Sequence, residues 1–280
     1  MIRSARCHSK PVSSWGATLA LLGLLAAPAA SQVAASEPAA AEPAPVLDQN
    51  LLSRAENDLD EGRARMAVER FRKLAESPAA NRSVFLGLGK AESLAGNFAA
   101  AVDALVAASN FRENDYEVTI ALANALRLQG NQANREGDTE AAGMALMDAD
   151  RFFEEAARLR PTDAEPLLGA SRVAREMGDS DRALQLVVKA TTVQPDHVEA
   201  LVELGCQRFA TYWYLKGMQG EEAARDAQEL CRAAYARALE LDPRNGPALN
   251  GMGWIAMHGD DESQAIDWFR KSLLADPTLA

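Results

Sequence analysis

Residues 162–195 read TDAEPLLGASRVAREMGDSDRALQLVVKATTVQP, and this stretch contains the pattern that decides the fold. Small residues stand at Ser171 and Ala183, a larger apolar residue follows at Val187, and Pro195 closes the stretch. Small side chains let two helices approach closely, and a larger one a turn later fills the space between neighbouring hairpins. Proline then stops the second helix. The stretch therefore predicts one pair of packed helices.

The same pattern occurs six times along the chain. The first small residue repeats at intervals of 34, 34, 48, 34 and 48 residues, and prolines at positions 161, 195, 243 and 277 close the last four units. Six units in phase predict a repeat architecture in which each helix pair packs on the next. The first small residues are Ala55, Gly89, Ala123, Ser171, Gly205 and Gly253, the second are Ala67, Ala101, Ala149, Ala183, Cys231 and Ala265, and the larger ones are Phe71, Leu105, Phe153, Val187, Tyr235 and Phe269.

This 34-residue spacing, with its small residues and closing proline, resembles the tetratricopeptide repeat (TPR) family. The first two units depart from it, because Ala79 and Glu113 stand where the proline is expected. The resemblance implies an all-α, right-handed α-solenoid of about six helix hairpins, to which we assign residues 47–280. It also implies that the first helix of each pair lines a concave face that binds peptides or protein segments.

Two units are longer than the rest. In the third and fifth units the two small residues are 26 positions apart instead of 12. Turn residues near the midpoints, at positions 136–138 and 217–220, predict that each helix gains about seven residues. Two added turns lengthen a helix by ~10 Å, so these hairpins should project from the solenoid. The alternative for the third unit is a flexible loop at residues 130–134, which read GNQAN.

The N-terminal region has the composition of a targeting segment. Residues 1–29 are predicted to be a cleaved signal peptide, because a basic start and a short apolar stretch precede the small-x-small sequence Ala27-Pro28-Ala29. The alternative of a membrane anchor needs ~20 apolar residues. Residues 30–46, rich in proline and alanine, are predicted to be a disordered linker. We expect a periplasmic protein, with the extracellular medium as the alternative.

The charge of the chain excludes some partners. The 280 residues carry a net charge of -11, which becomes about -14 once three basic residues leave with the signal peptide. Nucleic acid and anionic lipid are therefore disfavoured as partners. His197 and His258 have no histidine or carboxylate at metal-ligand spacing, and no catalytic motif is present. We expect no enzyme activity, cofactor or metal.

Cys206 and Cys231 lie on the two long helices of the fifth unit, each about twelve residues from the turn. In an antiparallel hairpin they are level neighbours, and export would place them where disulfides persist. A disulfide would close a loop of some 25 residues and add about 3 kcal/mol. The alternative is two thiols that act as small apolar side chains, since Cys206 sits one residue past the small position.

A groove on the concave face is the predicted binding surface. In the family geometry it is basic in units two to four and aromatic in units five and six, with Met257 nearby and Tyr212 or Trp213 above. Such a groove suits a segment with acidic residues and an apolar anchor. The alternative is ordinary solvated charge and repeat packing. The predicted protein-binding residues are Lys90, Asn124, Arg127, Arg172, Arg175, Phe209, Trp213 and Trp254.

Three functional hypotheses follow. The first is a non-catalytic periplasmic adaptor that binds envelope proteins, similar in architecture to TPR components of pilus and secretion-system assembly. The second is an enzyme or small-molecule-binding protein with a pocket near Trp213 and Trp254. The third is a homo-oligomer formed through the last hairpin, where no extra polar helix follows and Ile266, Phe269 and Leu273 recur at helical spacing.

Overall fold

The computed structural model describes residues 45–259 and 261–277, and that part of the chain is helical throughout its regular structure, without strands. Twelve α-helices form six consecutive pairs within these ranges, which confirms the all-α prediction. The helices are α1 (Gln49–Asp60), α2 (Ala64–Ala75), α3 (Arg82–Leu94), α4 (Phe98–Ser109), α5 (Tyr116–Glu136), α6 (Thr139–Leu159), α7 (Glu165–Glu176), α8 (Ser180–Val193), α9 (Val198–Gln219), α10 (Glu221–Leu241), α11 (Gly246–His258) and α12 (Glu262–Ala275).

The predicted signal peptide, residues 1–29, lies outside the described residues. The predicted linker, residues 30–46, lies outside them as well, apart from Pro45 and Val46. Among the described residues, the first buried side chain is that of Leu47, which belongs to the core cluster of the first hairpin together with Phe71. Burial of apolar side chains, which drives folding, therefore starts just before α1.

Polar caps set the ends of the long third hairpin. The side chain of Asp115 accepts hydrogen bonds from the backbone N–H groups of Glu117 and Val118, at 3.1 and 3.3 Å, and so begins α5. Gly137 ends α5 with a φ of 85°, a left-handed conformation that glycine adopts without a steric penalty. Asp138 then caps α6 by accepting from the backbone N–H of Ala141 at 2.9 Å. The turn predicted around position 137 is confirmed.

Glycines at the helix crossings allow the close packing that the repeat predicts. A Cβ atom on Gly205 would lie 2.5 Å from Cε1 of the Tyr235 ring, and one on Gly89 would lie 2.4 Å from Cγ of Leu105. Real Cβ atoms do not approach other carbon atoms this closely, because van der Waals contact begins near ~3.5 Å. The small residue and the larger one of the same unit are therefore in direct contact.

Both long units contain long helices. Helices α5, α6 and α10 have 21 residues each and α9 has 22, whereas the other eight described helices have 12 to 14. The alternative of a flexible loop at residues 130–134 is wrong, because Gly130 is buried inside α5 and packs against Leu146 of α6. In the fifth unit α9 continues through Gly217 and ends before Gly220.

The first helices of the pairs form the inner layer of the solenoid. Helix α3 contacts both α1 and α5, α5 also contacts α7, and α9 contacts α11. The second helices make fewer contacts with one another. Since helices on the inner side of a curved array lie closer together, the first helices line the concave face, as in other solenoids.

Candidate protein-binding surface

The eight predicted binding residues all lie on first helices and form two groups. A charged group spans α3, α5 and α7, and an aromatic group spans α9 and α11. The charged group comprises Lys90, Asn124, Arg127, Arg172 and Arg175, and the aromatic group comprises Phe209, Trp213 and Trp254.

Each arginine of the charged group pairs with a glutamate of the inner layer. On α7, Arg175 donates from Nη1 to Oε1 of Glu203 on α9 at 2.8 Å, and Arg172 pairs with Glu199 of the same helix. Arg127 on α5 donates to Glu176 on α7. The arginines therefore do not offer a free basic surface. They form a ladder of ion pairs that links α5, α7 and α9. The inner-face ladder comprises Arg127–Glu176, Arg172–Glu199 and Arg175–Glu203.

Amide side chains extend the inner-face ladder. Asn131 donates to Oε1 of Glu176 at 2.8 Å, and Gln207 donates to Oε1 of Glu203 at 3.0 Å. The predicted Asn124 instead donates to the backbone carbonyl of Ile120 at 3.1 Å, one turn back in its own helix. Hydrogen bonds to ionised groups are stronger than neutral ones, so these amides help to fix the glutamates in place.

The remaining basic residue, Lys90, borders a depression of about 360 Å³ between α3, α5 and α7. Hydrogen bonding by Arg82 is the main cause that lowers the pKa of Glu117, and the charge of Lys90 lowers it further. Glu165 lines the same depression. Burial is the main cause that raises the pKa of Glu165, and the neighbouring Glu199 raises it further while Arg172 opposes.

The rings of the aromatic group lie around the side chain of His258. The His258 ring centroid lies 4.4 Å from that of Trp213, at 80°, and 5.9 Å from that of Trp254, at 14°. Phe209 approaches the same ring at 6.1 Å. Burial lowers the pKa of His258, and the charge of Lys216 lowers it further. The structure thus brings together all three predicted aromatic residues.

Part of this aromatic group is open to solvent. Trp213 and Trp254 are each 43% exposed and Met257 is 42% exposed. Tyr212, by contrast, is buried against α10, so Trp213 is the side chain that reaches the surface. We call Trp213, Trp254, Met257 and His258 the aromatic patch. Exposed aromatic and methionine side chains of this kind are enriched at protein interfaces.

Cys206 and Cys231 are both free thiols in the structure. The Cys231 thiol is fully buried and donates to the carbonyl of Gly205 at 3.2 Å. Cys206 is exposed, and its sulfur accepts a hydrogen bond from the Tyr235 hydroxyl at 3.3 Å. The sulfur atoms are turned toward different partners because Cys206 lies one residue past the small position. Burial raises the pKa of the Cys231 thiol to about 12.

Native protein in which Cys7 is replaced by serine should therefore react at Cys206 alone. Cys231 is expected to react only after unfolding, because its thiol is fully buried. Burial also raises the pKa of the Cys206 thiol, so Cys206 should react slowly, but its exposure lets a reagent reach it. Counting of labelled thiols by mass spectrometry, before and after denaturation without reductant, checks this expectation. The Cys206→Ser variant serves as the control and should show no native labelling. Two thiols that stay unlabelled in denaturant until a reductant is added would establish the disulfide instead.

The last hairpin exposes an apolar surface on α12. Ile266 is 49% exposed and Leu274 is 80% exposed, whereas Phe269 is partly buried and packs edge-on against Trp254 with ring centroids 5.6 Å apart. The predicted exposure of this helix therefore applies to Ile266 and Leu273 more than to Phe269.

The part of the chain that the structure describes contains neither a candidate metal site nor a membrane-spanning helix. Within residues 45–259 and 261–277, no group of three His, Cys, Asp or Glu side chains is arranged to hold a metal ion. None of the helices in that part of the chain combines the length and apolar character needed to cross a membrane.

Comparison with known proteins supports the fold. No protein-family model matches the chain. BBSome complex member bbs-4 of Caenorhabditis elegans is 26% identical over 228 residues, which cover 79% of this chain and 43% of that protein. This chain thus spans less than half the length of that relative.

Two solved structures are similar to the chain along most of its length. TTC0263, a thermophilic TPR protein of Thermus thermophilus, superposes with a TM-score of 0.54 and 18% identity, over 81% of this chain and 98% of its own. The human IFIT1 dimer with PPP-AAAA gives a TM-score of 0.51 and 18% identity, over 81% of this chain and 55% of its own. Together with the helix pairs described above, these similarities show that the chain has the fold of a TPR α-solenoid.

Proposed function

We propose that this protein is a non-catalytic scaffold that binds segments of other proteins along its concave face. The observation that carries the proposal is the aromatic patch. Its two tryptophans are exposed, yet ring contacts with His258 fix their orientation. Rigid aromatic side chains lose little conformational entropy on binding, and they dominate the energetics of many protein interfaces.

We further propose that the protein acts in the bacterial envelope. The predicted signal peptide supports export to the periplasm, and the repeat architecture supports a role in assembling an envelope complex of the pilus or secretion type. The partners would then be envelope proteins. The similarity to bbs-4 supports the scaffold role in general terms, because that protein is described as a member of a protein complex.

Binding of an oligonucleotide, which the human IFIT1 structure contains, fits this chain poorly. The net charge is -11, and each arginine of the inner-face ladder is paired with a glutamate. Binding to phosphates draws most of its free energy from unpaired cations that replace counterions. A protein segment is therefore the better ligand for the concave face.

Replacing both Trp213 and Trp254 by alanine is expected to weaken partner binding strongly. Truncation of an interface tryptophan costs about 2 kcal/mol or more, so recovery of partners should fall at least about tenfold. The measurement is crosslinking and affinity capture from envelope extracts of the organism that makes the protein, with captured proteins quantified by mass spectrometry. Circular dichroism verifies that the variant is folded.

A matched control removes exposed apolar side chains elsewhere. Met144 and Met147 on α6 are 53% and 57% exposed, and their replacement by alanine should leave capture unchanged. Recovery of the same proteins by the tryptophan variant, or recovery of no specific protein by the wild type, would rule out the proposed binding surface.

A further inference from the structure

The two ends of α9 offer different chemistry on the concave face. Glu199 lies in the first turn of the helix, beside Glu165 of α7, and Trp213 lies fourteen residues further along. With a rise of ~1.5 Å per residue, these positions are about 21 Å apart along the helix axis. An extended chain advances about 3.3–3.6 Å per residue, so roughly six residues would cover this distance.

The end near Glu199 carries the carboxylates of Asp163, Glu165 and Glu199 against two cations, Arg172 and Lys90, of which Lys90 borders the same depression as Glu165. The inner-face ladder supplies one guanidinium there, that of Arg172, which pairs with Glu199. The carboxylate of Glu165 has no hydrogen-bond or ion-pair partner among the described residues, although burial and the charge of Glu199 both disfavour its ionised form. Arg172 and His197 lower the pKa of Glu165, whereas the carboxylate of Asp163 raises it. A cation from outside the chain would relieve this repulsion.

The other end of α9 offers an apolar contact. The aromatic patch presents Trp213, Trp254 and Met257 to solvent, and the surrounding ring contacts fix its shape. Lys216, whose charge lowers the pKa of His258, is already paired with Glu221 at 2.9 Å. This end therefore recognises shape and apolar surface more than charge.

We propose that the concave face binds an extended segment that carries an aromatic or large aliphatic side chain and, about six residues away, a lysine or arginine. The apolar side chain contacts the aromatic patch, and the basic side chain contacts Glu165 and Glu199. This inference rests on the proposed scaffold function and specifies the partner. It replaces the acidic segment predicted from the sequence by a basic one, because the arginines that led to that prediction are already paired with glutamates.

Selection from a library of random peptides of about twelve residues, long enough to cover the spacing, tests the inference. The full chain is the target, and the Trp213→Ala, Trp254→Ala variant removes peptides that bind elsewhere. The enriched peptides are expected to combine an aromatic or large aliphatic residue with a lysine or arginine about five to seven positions away. Enrichment of aspartate or glutamate would overturn the inference while leaving the scaffold function standing. Absence of any peptide that depends on the tryptophans would overturn it as well.

A variant without the two carboxylate charges tests the acidic end of the surface separately from the aromatic patch. The Glu165→Gln, Glu199→Gln variant should weaken binding of a selected peptide by about threefold to tenfold, the range for partly exposed ion pairs. The control variant Glu69→Gln, Glu140→Gln removes two charges from exposed positions on α2 and α6 and should bind as the wild type does. Fluorescence anisotropy at low and high salt provides the measurement, and the loss should shrink as salt screens the charges. Equal affinity of the two variants would contradict a role for Glu165 and Glu199.

Discussion

Replacement of Phe153 by alanine is expected to lower the free energy of unfolding by about 3–5 kcal/mol, the largest effect of any substitution considered for this protein. The ring is fully buried and belongs to a core cluster with Leu126 and Val173. It lies on α6 and contacts Gly169 on α7, so it fills the junction between the third and fourth units. Alanine would leave a cavity there that rigid helices cannot close.

Thermal and urea unfolding followed by circular dichroism measure this loss. For a chain of this size, the expected fall in melting temperature is about 6–20 °C. Beyond the predicted signal peptide the tryptophans are Trp213, Trp254 and Trp268, which all lie in the last two units, so fluorescence reports on that end alone. Because each unit contacts only its neighbours, a weakened junction between the third and fourth units should affect the last two units least. The unfolding transition measured by fluorescence should therefore shift less than the transition measured by circular dichroism.

The Met147→Ala variant controls for the loss of an apolar side chain on the same helix. Met147 is 57% exposed, and its replacement is expected to change the free energy of unfolding by less than about 0.5 kcal/mol. A similar small effect for Phe153→Ala would mean that the junction between the third and fourth units is not packed as the structure describes.

The repeat could be predicted from the sequence because helix crossings restrict side-chain size. Ser171 and Gly205 stand where two helices of one pair cross, and the prolines mark the ends of units. The predicted repeat pattern does not include a second set of glycines at helix contacts. Gly169 and Gly251 precede the first small residue by two positions and contact the ring of the preceding unit, Phe153 and Tyr235 respectively. Their regular offset is a signal that the sequence contains.

The candidate surface could be predicted only in part. Repeat geometry predicts which side chains face inward, and it placed Phe209, Trp213 and Trp254 near one another. In the structure the rings of all three approach His258. Repeat geometry does not indicate which side chains of the neighbouring units contact these residues, because such contacts depend on the curvature of the solenoid. Arg172 meets Glu199, which lies 27 residues away on the next inner helix, and no local pattern links the two.

His258 shows the same limitation. The sequence places no histidine or carboxylate at metal-ligand spacing from His258. The actual neighbours of His258 are aromatic rings, and Trp213 belongs to a helix of the preceding unit. Contacts between units require the three-dimensional arrangement, whereas contacts within a helix follow from its period.

Replacement of Gly169 by alanine is expected to destabilise the protein by about 1–3 kcal/mol, although alanine is the better helix former. A Cβ atom at this position would lie 2.0 Å from Cε1 and 2.3 Å from Cζ of Phe153. The ring is fully buried, so it can move only by displacing its packed neighbours. Gly143, in the interior of α6, has no atom within 4 Å of an added Cβ. Gly143→Ala should therefore stabilise the protein, by about 1 kcal/mol or less.

The two glycine substitutions are expected to change the free energy of unfolding in opposite directions. Because both glycines lie inside helices, this difference distinguishes the effect of close packing from that of helix propensity. Urea unfolding of both variants measures the two values. Repeating Gly169→Ala in a Phe153→Leu background provides a double-mutant cycle, in which the smaller side chain should reduce the cost of the alanine by about 0.5 kcal/mol or more. If Gly169→Ala instead stabilises the protein as Gly143→Ala does, then the two helices do not meet at Gly169. The register of the third unit on the fourth would then differ from the one described.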